Sequence, residues 1–104
     1  MESTKRLGIA VSTRNRRAIY SETIRNIREK CKDFEIVVVD DASSSPVEDA
    51  TFRFKKRAGI AQCKNKCLRL LLDRDCTDLF LFDDDIYPLT EDWYLPYVNS
   101  GHVS

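Results

Sequence analysis

The chain has 104 residues, 42% of them apolar, with 17 basic residues against 17 acidic ones. That length suits a single domain, 1–104, and the even charge argues against a nucleic-acid binder working through bulk electrostatics. No apolar run is long enough for a membrane span, and the opening MESTKRLG lacks the apolar core of a signal peptide, so a soluble, cytoplasmic protein is the expectation.

In chain order, 7-LGIAVST-13 reads as a first strand, short and apolar, and the polar run 14-RNRR-17 follows it. Tyr20, Ile24, Ile27 and Cys31 then recur at helical spacing, with Arg25, Arg28, Glu29 and Lys30 on the other side. In 35-EIVVVDDAS-43 the unbroken run Ile36-Val37-Val38-Val39 predicts a strand buried on both faces, as in a parallel sheet. The segment 43-SSSPVED-49 is loop by composition, and 51-TFRF-54 predicts a short strand. After Gly59, 60-IAQCKNKCLRLLLDR-74 predicts a second helix with Ile60, Cys63, Cys67 and Leu71 inward. Residues 79-LFLF-82 predict the next buried strand. Thr90 is a good N-cap for a helix in the last segment, although Pro96 would limit its length.

This alternation predicts an α/β fold of three layers, α/β/α, around a mostly parallel sheet with right-handed crossovers. In such sheets ligands sit beyond the carboxyl ends of the strands. The acidic pair Asp40-Asp41, the triplet Asp83-Asp84-Asp85 and the basic run 14-RNRR-17 all fall at predicted carboxyl ends, so the charges converge on one edge. Side chains alternate along a strand, so Asp83 and Asp85 are expected to face the same way. Two carboxylates together suit a hard divalent cation, and magnesium completes its shell with waters and substrate phosphates. The competing reading is a set of solvated turn acids capping the next helix. A triplet after a buried strand, with a second acidic pair nearby, favours the ligand reading.

Lys64 lies in the first turns of the second helix and is a candidate phosphate contact, whereas Lys66 and Arg69 read as solvent-facing. At least one of Arg14, Arg16 and Arg17 should look toward the ligand edge. Cys31, Cys63, Cys67 and Cys76 match no zinc spacing and read as small buried hydrophobes. Trp93 and Tyr94 read as packing residues.

The series 11-VSTRNR-16, 36-IVVVDDAS-43, 59-GIAQCKNKCL-68 and 79-LFLFDDDIYP-88, with Trp93 downstream, resembles the N-terminal half of a family 2 glycosyltransferase. The resemblance runs from about residue 7 to residue 97 and implies a Rossmann-like GT-A fold. It implies a nucleotide-diphospho-sugar donor, with a UDP-sugar expected, and Mn²⁺ or Mg²⁺ held by Asp83 and Asp85 as the DxD pair. Thr13, Arg14, Asp40, Asp41, Lys64 and Asp84 make up the implied donor-binding set, with Asp40 or Asp41 on the nucleoside. Lys64 stands where the family has arginine, which turns a bidentate phosphate contact into a point charge. Family members continue into an acceptor half carrying the catalytic base, and no acid here, such as Glu91 or Asp92, is placed by motif to serve as that base. The catalytic residue is therefore unassigned and the acceptor unknown. Self-association into a homo-oligomer is a secondary expectation, because a sheet cut short exposes apolar surface.

A second resemblance is to response-regulator receiver domains, through VVVDDAS and the strand entering Asp83, with Pro88 five residues on. A full strand and helix precede the acidic pair, however, and SSSPVED is loop where a receiver has a helix. A catalytically silent nucleotide-binding or assembly module is the third reading.

Overall fold

A computed structural model of the protein describes residues 6–85. The helix expected after Thr90, together with Trp93, Tyr94 and the tail carrying His102, lies outside the described residues. Six elements follow one another: β1 (Leu7–Thr13), α1 (Arg17–Lys30), β2 (Glu35–Asp41), β3 (Phe52–Phe54), α2 (Ile60–Asp73) and β4 (Asp78–Asp83). They form one four-stranded sheet in the order β3-β2-β1-β4, and every pairing is parallel.

The path from β1 through α1 to β2 steps one way along the sheet. The path from β3 through α2 to β4 returns the other way, past β2 and β1. Right-handed crossovers taken in opposite directions require the two helices to cover opposite faces. The core divides accordingly. Ile9, Val11 and Val38 pack with Tyr20, Ile24 and Ile27 of α1 on one face. Ala10, Val37 and Val39 pack with Cys63, Cys67 and Leu71 of α2 on the other. The helical stripes and the strand alternation read from the sequence therefore meet as expected, although 79-LFLF-82, expected to be buried, is only half-buried at the edge of the described sheet, and one helical position departs. Ile60, expected inward, is 76% exposed. It is the first residue of α2, which starts beyond the carboxyl edge of the sheet, so no strand lies beneath it.

The opposite end of α2 is tight. A Cβ added to Gly8 in β1 would lie 2.6 Å from the Cys76 sulfur and 2.8 Å from Leu71 Cδ2. Glycine is required there for the close approach of helix to sheet, a packing role rather than a turn. All four cysteines are buried. Burial, with the Asp41 charge adding to it, pushes the Cys63 thiol up to about 11. Burial chiefly pushes Cys67 up to about 12. Among the described residues no helix is long and apolar enough to cross a membrane.

Two outcomes are expected from this packing. Gly8→Ala should destabilise the fold by about 1–3 kcal/mol through overpacking, read from urea denaturation. In the native protein at pH 8 an aromatic disulfide reagent should label the thiols far more slowly than in guanidinium, because they are buried and protonated. Fast stoichiometric labelling of the folded protein would contradict this packing.

Candidate functional site

The carboxyl edge is nearly flush. Thr13 pairs in register with Asp40, and Ser12 with Asp83. Alternation then decides which way each acid points. Asp40 follows the parity of Val38 and lies on the α1 side, whereas Asp41 follows Val39 to the α2 side. Asp84 continues the parity of Phe80 and Phe82 toward α1, and Asp83 that of Leu79 and Leu81 toward α2.

Asp40 is fully enclosed. Its two oxygens accept from the backbone N–H of Ser43, at 2.9 Å, and of Val47, at 3.0 Å. Asp41 does the equivalent on the other face, accepting from the N–H of Ala58 at 2.6 Å and of Gly59 at 3.1 Å. Burial alone would raise the pKa of Asp41. These two backbone donors, the Cys63 thiol and the nearby Arg14 charge together outweigh burial and hold it below the usual range. Gly59, at φ +93°, is the N-cap of α2, so Asp41 also places negative charge at that helix's positive end. Asp41 is 6% exposed and sits nearer the rim than Asp40.

At the end of β1, Thr13 Oγ1 donates to Asp84 Oδ2 at 2.9 Å, and Thr23 of α1 donates to the Asp84 carbonyl at 2.6 Å. Asp84 is only 5% exposed, while Asp83 and Asp85 are exposed. The strand ends at Asp83 and the alternation holds one residue further, to Asp84; Asp85, expected to face the same way as Asp83, departs from it. The Arg16 guanidinium instead lies between the last two acids, with Nη1 at 3.5 Å from Asp84 and Nη2 at 3.6 Å from Asp85. The triplet therefore relieves its repulsion by turning Asp83 away from Asp84 and by one cation shared between Asp84 and Asp85. Arg14 is exposed beside the edge, and Lys64 is partly buried in the second turn of α2.

The loops at this edge are tied together. Asn15, at φ +54°, donates its N–H to Ser43 Oγ at 2.8 Å and accepts from the Ser44 N–H at 2.7 Å. Sequence reasoning left Arg16 undistinguished from Arg14 and Arg17, and missed the roles of Asn15, Ser43 and Thr23. The parity of Phe80 and Phe82 carried the signal for Asp84 facing Thr13. Nothing local in the sequence marks a contact such as Asn15 to Ser43, which depends on two loops meeting.

Among the described residues no three His, Cys, Asp or Glu side chains converge as a preformed metal site. The donor set nonetheless fits a cation of the kind that takes one or two carboxylates and completes its shell with water and phosphate. Oxygen donors are available on exposed Asp83 and Asp85, and a cationic side chain already bridges Asp84 and Asp85.

The chain is 27% identical, over 112 aligned positions, to an uncharacterized glycosyltransferase of Acanthamoeba polyphaga mimivirus. The alignment covers 91% of this chain and 43% of that relative, so the chain spans about two fifths of the relative's length. No family model matches the chain, and no solved structure matches it significantly.

The Asp41 geometry carries a prediction. A depressed carboxylate pKa stabilises the fold above its unfolded value, 3.8, and that contribution is lost as pH falls through the lower folded value. Asp41→Asn should cost about 1–3 kcal/mol at pH 7, because one backbone N–H loses its acceptor. The stability gap between wild type and variant should narrow as the pH is lowered below 4, seen in melts across that range. A constant gap would show that the carboxylate charge contributes nothing.

Proposed function

We propose that this chain is the donor-binding part of a glycosyltransferase, of family 2 type with a GT-A fold, and that it binds a nucleotide-diphospho-sugar, with a UDP-sugar preferred. The observation that carries this reading is the position of the charged groups. The order β3-β2-β1-β4 reverses direction between β1 and β4. A crevice at such a switch point, outside the carboxyl ends, is where open α/β sheets bind ligands. Thr13 ends one of these two strands and the Asp83-Asp84-Asp85 triplet ends the other. The distant similarity to a protein named as a glycosyltransferase supports the same reading.

In this proposal Asp83 and Asp85 hold Mn²⁺ or Mg²⁺, which when bound would offset charge on the donor diphosphate as the sugar bond breaks. Thr13 keeps Asp84 fixed and so steadies the backbone that presents its two neighbours. Both acids of the pair already accept from backbone N–H groups, and Asp41, nearer the rim than the fully enclosed Asp40, is the better placed of the two to meet a nucleoside donor group. Arg14 and Lys64 supply positive charge near the phosphates. The base that activates the acceptor hydroxyl is not assigned to any described residue.

The receiver reading loses support from the sheet order. In doubly wound proteins of receiver type the strand bearing the acidic pair is the neighbour of the phospho-acceptor strand, in the order 2-1-3. Here β1 lies between β2 and β4, which separates the two acidic clusters by about 10 Å of sheet.

Calorimetric titration of UDP should show binding with Mn²⁺ that is lost in EDTA and in Asp83→Asn/Asp85→Asn. Binding that persists in EDTA would remove the metal from this reading. No binding under either condition, by a protein shown to be folded, would count against the donor site itself.

A further inference from the structure

We propose that Arg16 is a movable counter-cation: it neutralises Asp84 and Asp85 in the ligand-free protein, and transfers to the donor diphosphate when a divalent cation takes Asp83 and Asp85. This inference rests on the donor-site reading above, and it assigns a specific role to Arg16, which that reading leaves without one.

Four observations carry it. The two Arg16 contacts are long, at 3.5 and 3.6 Å, and go to different carboxylates. A settled charge-assisted pair is shorter, as Arg28 to Asp49 is at 2.9 Å in this same protein. The guanidinium is therefore held loosely by general attraction rather than in a bidentate lock. Second, its anchor is rigid. The Arg16 carbonyl accepts from the Tyr20 N–H at 2.8 Å as the first bond of α1, while its side chain is 44% exposed. The side chain can move and the backbone need not. Third, its main partner is fixed. Asp84 is secured by Thr13 on one oxygen and by Thr23 at its carbonyl, so its other oxygen stays presented to whatever cation is near. Fourth, Arg16 stands at the β1–β4 switch point, where a ligand would enter.

The electrostatics then set a sequence of events. A divalent cation on this triplet and a guanidinium between Asp84 and Asp85 repel each other and compete for the same charge. Metal alone must displace Arg16 at a cost. Metal arriving with a diphosphate supplies a new anionic partner for it, and the planar guanidinium matches phosphate oxygens well. The arrangement favours joint binding of metal and diphosphate over metal alone.

The test uses the full 104-residue chain with Arg16→Gln, and with Arg17→Gln as a control of identical charge change, since Arg17 pairs with Glu48 at 3.2 Å. Melting curves establish that both variants are folded. Mn²⁺ alone is titrated by the electron paramagnetic resonance signal of the free ion, and UDP is then titrated at saturating Mn²⁺ by calorimetry. Arg16→Gln should bind Mn²⁺ alone several-fold more tightly, about what loosely held, partly exposed ion pairs are worth. The same variant should bind UDP about tenfold more weakly, as loss of one charge-assisted phosphate contact predicts. Arg17→Gln should match wild type in both. Unchanged Mn²⁺ affinity in Arg16→Gln, while wild type binds Mn²⁺ and UDP, would overturn this proposal and leave the donor site standing. Loss of both Mn²⁺ and UDP binding in Arg16→Gln would make Arg16 a structural tie and also overturn it. Failure of wild type to bind either would overturn the donor site and this proposal together.

Discussion

Two adjacent carboxylates at the end of β2 face opposite sides of the sheet, and each holds the chain on its own side. Asp40 gathers the N–H groups of Ser43 and Val47 beneath α1, and Asp41 gathers those of Ala58 and Gly59 at the start of α2. Buried charges are tolerated only when their oxygens are satisfied, and here backbone donors satisfy them. The consequence reaches along the chain. The first pair shapes the loop that Asn15 then joins to the end of β1. The second sets where α2 begins, and through it which residues of α2 reach the sheet. Cys63, Cys67 and Leu71 fall inward and Ile60 projects past the edge.

That anchoring makes the carboxyl edge a rigid platform. β1 is paired on both sides, so its end at Thr13 is laterally fixed against Asp40 and the start of the acidic triplet. The loops leaving β1 and β2 are bonded to each other through Asn15, Ser43 and Ser44. Tyr20 and Arg28 of α1 bind the two oxygens of Asp49, closing the far side of the same loop. A ligand at the switch point would therefore meet backbone already ordered, with motion confined to exposed side chains, which lowers the entropy lost on binding.

The architecture was legible because its signals are local and periodic. The run Ile36–Val39 announced a strand covered on both faces, and the Tyr20, Ile24, Ile27 spacing announced the face of α1. Strand order was not read from the sequence, since β3 to β4 could have returned to either edge, and the order became clear only with the pairings in hand. At the site, the residue types were legible and their directions were not. Period-two alternation fades once the strand ends at Asp83: Asp84 still follows it toward Thr13, but Asp85 turns toward Arg16. Ile60 failed for a related reason: helical periodicity gives a face but not the point where the sheet beneath it stops.

The five aspartates at this edge can be sorted by what the fold itself requires. Asp40 and Asp41 are used in holding backbone N–H groups. Asp84 is buried and hydrogen-bonded to Thr13, so the fold accounts for it as well. Asp83 and Asp85 remain. Both are exposed, both flank a third negative charge, and among the described residues no backbone N–H donates to either. Exposed acids crowded in this way weaken the fold slightly and add nothing to the core. Asp85 shares one loosely placed arginine with Asp84, and among the described residues no cationic side chain pairs with Asp83. Two exposed acids with no part in the described core, set at the switch point of the sheet, are the strongest physical reason to look for a cationic ligand there.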